Sequence, residues 1–228
     1  FAFSRIEVDP SAAQREPDAV RVGRQPLWRP LRQHPAFLAF CGVAAVWNFS
    51  VSVGGPFFNA YLVEGLGGTA STVGLLTVVN SLAALPGYRL FGRLNDRWGP
   101  RKVQLLTGLL IPIMPLIWVV AQRPWHVIPA SILGGFLWAG YGIAAFSFQL
   151  ELTPAEYLPR WSALVHMLVL VSAAAGAAVG GLIAQHLGYQ AVFIATTLGR
   201  LAAALLFARL ARTPRQGSQG TQAEAPAA

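Results

Sequence analysis

Charge is scarce in this chain. Asp, Glu, Lys and Arg make up 11% of the 228 residues, against 54% apolar residues. A soluble domain carries roughly 25% charged residues and needs them on its surface, so the composition excludes a large soluble helical core. Sulfur is scarcer still. The single cysteine, Cys41, lies within an apolar run, so no disulfide forms within the chain and no metal-binding spacing exists. Nine carboxylates face 17 cations, a formal net charge of +8. The cations form short clusters at the ends of apolar runs, not the continuous stripe that nucleic-acid binding requires. Enzyme constellations are missing too: no G-x-S-x-G elbow, no H-E-x-x-H and no phosphate-binding loop occurs. His34, His126, His166 and His186 are scattered. Neither covalent catalysis nor a metal or cofactor is expected.

What the chain does have is repeated apolar runs that reach the ~20 residues a bilayer crossing demands. They predict six spans, over about 37–63, 72–94, 103–121, 126–150, 161–186 and 191–210. The fold class is then an all-α membrane protein, a six-transmembrane-helix bundle over 36–211. Residues 1–35 read as a cytoplasmic linker, polar and rich in Pro and Arg. Within it, Leu27, Trp28 and Leu31 suit either a short interfacial helix or a solvated loop. Residues 212–228 read as a disordered cytoplasmic tail. Gly54-Gly55-Pro56 is expected to bend or unwind the first span. Pro86-Gly87 is expected to kink the second, and Pro112 and Pro115 to interrupt the third. Ser172, Gly176 and Gly180, spaced by four, form a small-residue stripe for tight packing. Arg89, near the inner end of the second span, either snorkels or lines a cavity.

Orientation follows from the cations. The linker, the second and fourth connections and the tail hold nearly all the Arg and Lys, whereas the opposite side holds only Arg123. The basic side is cytoplasmic, with both termini on it. Trp28, Trp98, Trp125, Tyr157, Trp161 and Tyr189 fall near span ends, as an aromatic belt would place them.

The densest cluster of cations is Gly92 to Lys102, G-R-L-N-D-R-W-G-P-R-K, between the second and third spans. G-x-x-x-D-R-x-G-x-R-K in that place resembles the signature loop of the major facilitator superfamily. That family has two bundles of six helices, with the signature between the second and third helix of each. The polar segment before the first span resembles the linker joining the bundles. Phe1-Ala2-Phe3 looks like the cut end of an earlier apolar segment. The chain is therefore expected to be the second bundle, partnered by an N-terminal six-helix bundle outside this sequence.

The resemblance implies a secondary transporter in the inner membrane, moving a small molecule by alternating access. It makes Asp96 a latch that caps a helix of the other bundle. Arg97 or Arg101 would bridge Asp96 to Glu151. Gly92 would allow close packing, and Gly99 the turn. Pro100 departs from the family, which usually has a cation straight after the glycine; Arg101 and Lys102 follow instead. The first and fourth helices of such a bundle face the central path, so Asn48, Asn59, Trp138 and Tyr141 are substrate-path candidates, with Asn80 weaker. Amides in hydrocarbon face protein or water, not lipid. His166 is the one titratable candidate inside a span whose ordinary pKa lies near neutrality. An essential carboxylate for proton coupling would lie in the other bundle. The alternative is a stand-alone six-helix membrane protein with a structural or regulatory role.

Overall fold

A backbone in lipid must satisfy its own polar groups, and an uninterrupted apolar run does so as a helix. The computed structural model describes residues 33–154 and 157–210, and every regular element among them is helical. The elements are α1 (Pro35–Glu64), α2 (Ala70–Trp98), α3 (Pro100–Leu110), α4 (Ile113–Val120), a 3-10 turn (Pro124–Val127), α5 (Ile128–Leu152) and α6 (Leu158–Leu210). Residues 1–32 of the linker, with its basic residues and Trp28, and the C-terminal tail lie outside the described residues.

Among the described residues, five helical stretches are long and apolar enough to cross a membrane, with α3 and α4 together forming one of them. The last, α6, has 53 residues and contains Gly188 at φ 81°, ψ 174°, a non-helical conformation that joins two helices across a kink. The neighbours show how sharp that kink is. A Cβ added at Gly176 would fall on the Phe49 carbonyl, and one at Gly180 on that of Val53. Thr196 touches Gly54, and Gly199 approaches Ser50. Gly176 and Thr196 would stand ~30 Å apart along a straight helix, yet both touch the same two turns of α1. The chain therefore reverses at Gly188, and the two halves of α6 grip α1 between them.

The Ser172–Gly180 stripe thus seats α1 through Gly176 and Gly180. A second seam joins α2 to α5, where a Cβ at Gly135 would fall on the Asn80 carbonyl and one at Gly87 would stand 2.7 Å from that of Phe136. Of the two interruptions expected in the third span, the break at Pro112 is present between α3 and α4, whereas Pro115 sits in the first turn of α4 and does not break it. The unwinding expected at Gly54-Gly55-Pro56 is absent: α1 is helical throughout. Packing explains the difference. Gly54 sits against Thr196 with 2.8 Å between its would-be Cβ and the methyl, and the Thr196 hydroxyl donates to the Ser50 carbonyl. The neighbour holds the turn of helix that leads into the proline.

Three apolar clusters stack along the bundle. One holds Phe37, Phe148, Trp161 and Phe207, a middle one Trp47, Phe91, Ile111 and Leu137, and a third Tyr61, Leu62, Trp118 and Phe193. Trp161, expected in an aromatic belt, is instead fully buried, stacked on Tyr157 and packed on Phe37. It lies at a helix start covered by its neighbours. Trp98 and Trp125 are exposed, as a belt requires. Leu75, Leu82, Leu85 and Val120 are more than half exposed, an apolar surface that suits lipid rather than water.

Candidate functional site

The basic end is built around a one-residue joint. Helix α2 ends at Trp98, Gly99 takes φ 81°, and Pro100 opens α3. Positive φ favours glycine, and proline suits the first helical position, so the expected turn is there. Asn95 donates its amide to Ser147 Oγ at 3.2 Å, tying this end to α5. Arg101 donates to the Ala208 carbonyl at 3.3 Å, near the end of α6. A guanidinium suits the exposed carbonyls of a helix C-terminus.

Asp96, Arg97, Lys102 and Glu151 are exposed. Among the described residues, no hydrogen bond or ion pair joins Asp96 to Arg97, Arg101 or Glu151. A Cβ at Gly92 would meet nothing within 4 Å, so no close neighbour within the described bundle uses its small size. The loop is assembled, and its acidic side chain faces outward.

The second region is an open cavity of about 190 Å³ between the helices, lined by Phe58, Asn80, Met114, Trp118, Ala130, Ser131, Gly134, Trp138 and Arg200. Of the path candidates, Asn80 and Trp138 meet here. Asn80 donates to the Ser131 carbonyl at 3.0 Å. Trp138 stands edge-on to Tyr141 at 5.6 Å, and Tyr141 stacks on Trp47 at 4.5 Å, so Tyr141 backs the cavity wall without lining it. Asn48 bonds locally to the Ala44 carbonyl at 2.8 Å. Asn59 and His166 are exposed on the bundle surface, away from the cavity.

The sequence reading passed over Arg200, which lies inside the last span. It is 3% exposed. Its guanidinium sits 6.0 Å from the ring centres of Phe58 and Trp138 and donates to the Val51 carbonyl at 3.5 Å. Its Nε has no hydrogen-bond partner. The signal was available: an arginine between two apolar flanks, ten residues from either end of the run. Counting cations only in the connections hid it.

Among the described residues, no group of three or more His, Cys, Asp or Glu is placed to hold a metal ion. The family model described as the Major Facilitator Superfamily matches residues 38–227, the whole described bundle beyond the first turn of α1. The chain belongs to the Major Facilitator Superfamily, a family of membrane transporters.

Proposed function

We propose that the protein is a secondary transporter that carries a small solute by alternating access, and that the cavity between Asn80, Trp138 and Arg200 lies on the solute's path. A cavity of about 190 Å³ whose mainly apolar wall carries Asn80, Ser131 and Arg200, within helices whose outer surface is apolar, carries the reading. Polar groups placed deep in a membrane bundle belong to solute paths or to helix–helix bonds, and here three of them converge on open space. The reversal at Gly188 supports counting six crossings, and six crossings put the two ends of the bundle on one side. That side carries Arg93, Arg97, Arg101, Lys102 and Arg209, which supports reading it as the cytoplasmic face of an inner-membrane protein.

The exposed Asp96 is the latch. It caps a helix of a partner bundle joined through residues 1–35, and its release accompanies rocking of one bundle against the other. Arg97 is the cation left for the closed latch, since Arg101 already bonds the end of α6. Glu151 completes the relay. Asn59 and His166 meet the solute only across the interface between bundles.

The test is flux. The full chain, with whatever precedes it in its gene, is reconstituted in vesicles and offered labelled organic acids, sugars and amines. Saturable uptake of one class above empty vesicles is expected. Absence of saturable flux for every class would favour the structural or regulatory alternative.

A further inference from the structure

We propose that the cavity at Arg200 is an anion site, and that its ligand is a small monocarboxylate with an aromatic or apolar body. The inference rests on the transporter reading, because it names the solute class for that path. It starts from a charge that has no counter-charge among the described residues. Arginine stays protonated in proteins, and burying an unpaired charge is costly. The described carboxylates are Glu64, Asp96 and Glu151, all at helix ends. Glu64 accepts from Tyr189 at the end far from the basic loop, and none forms an ion pair with Arg200. What Arg200 does have is one long bond to the Val51 carbonyl and two flanking rings.

The unmet Nε is informative. A carboxylate accepts from a guanidinium through two parallel bonds, and the Nε–Nη edge is one geometry for that fork. The Phe58 and Trp138 rings each stand 6.0 Å from the guanidinium. The other lining residues include Met114, Trp118 and Ala130, which suit an apolar body. The volume of about 190 Å³ exceeds the ~150 Å³ of a cavity known to hold a benzene ring. A doubly charged ligand fits less well, because Arg200 is the one cation among the lining residues.

The experiment uses the full chain in lipid nanodiscs, with benzoate as the probe and tryptophan fluorescence as the readout, since Trp118 and Trp138 line the cavity. Benzamide, benzylamine and inorganic phosphate are the comparators. Benzoate is expected to bind at least tenfold tighter than each of them. Arg200→Gln should lose at least tenfold for benzoate and change benzamide little, while Arg200→Lys should keep the preference for benzoate over benzamide. A purely structural arginine would not produce that charge selectivity. Equal binding of benzoate and benzamide, stronger binding of phosphate, no benzoate binding, or undiminished binding in a folded Arg200→Gln protein would each overturn the proposal. Should Arg200→Gln fail to fold, the wild-type ratio and the lysine variant decide. Saturable flux of a neutral solute without benzoate selectivity would sink the anion site and leave transport standing. Selective benzoate binding without flux of any solute would do the opposite.

Discussion

Helices α1 and α2 are nearly equal in length, 30 and 29 residues, but ten residues are buried along α1 and only three along α2. The difference is one of neighbours. Helix α1 lies between the two halves of α6, touching Gly176 and Gly180 on one side and Thr196 and Gly199 on the other. Helix α2 leans on α5 along one seam, and Leu82, Leu85 and Tyr88 stand exposed on it. A helix held from two sides is fixed by the bundle. A helix held from one side keeps a free flank, and this one carries Asp96 at its end. The division separates the part that fixes the cavity from the part that offers the latch.

The comparison can be broken most severely at the single seam. Gly135→Leu places side-chain atoms on the Asn80 carbonyl and should detach α2, costing about 3 kcal/mol or more by overpacking. Loss of monodisperse protein on size exclusion would show it. Gly142→Leu is the control, because a Cβ there meets nothing within 4 Å. Gly176→Leu should cost about 1–3 kcal/mol, because α1 keeps its second grip on Thr196 and Gly199; a larger loss than at Gly135 would reverse the comparison.

Asp96→Asn tests the free flank. It should leave insertion and thermal stability unchanged while lowering solute flux by roughly two- to thirtyfold, as expected for losing ~0.4–2 kcal/mol of helix-end interaction. Wild-type flux would remove the latch. The smallest effect is expected at the far end, where Tyr189 donates to Glu64 at 2.5 Å. Tyr189→Phe should cost about 1 kcal/mol or less, since exposed polar contacts are weak. A melting scan in detergent would read it, and flux should be unaffected.

Much of this was legible from sequence because spans, turns and small-residue stripes are local. Pro112 ended a helix, Gly99 turned, and Gly176 with Gly180 packed against a neighbour. What was not legible was direction. Spans that are apolar all round give no signal of which face is buried, so Asn59 and His166 on the outside looked no different from Asn80 beside the cavity. Trp161 was placed by its position at a span end, but burial is decided by what folds over it. Arg200 was readable as an anomaly, yet its neighbours Phe58, Ser131 and Trp138 lie on other helices, and spacing along one helix says nothing about them. The unwinding expected at Gly54-Gly55-Pro56 is missing for the same reason: Thr196, more than a hundred residues away in the chain, packs on Gly54.

The joint at Gly99 has a mechanical corollary. With Gly99 alone between α2 and α3, any tilt of one against the other is taken up at that residue or passed on to α3. Arg101, on the first turn past that joint, is tethered to Ala208 near the close of α6. A swing of the acidic tip of α2 that is passed on therefore tugs on the last turn of the bundle, so a spectroscopic label near Arg209 should sense the latch opening without touching it.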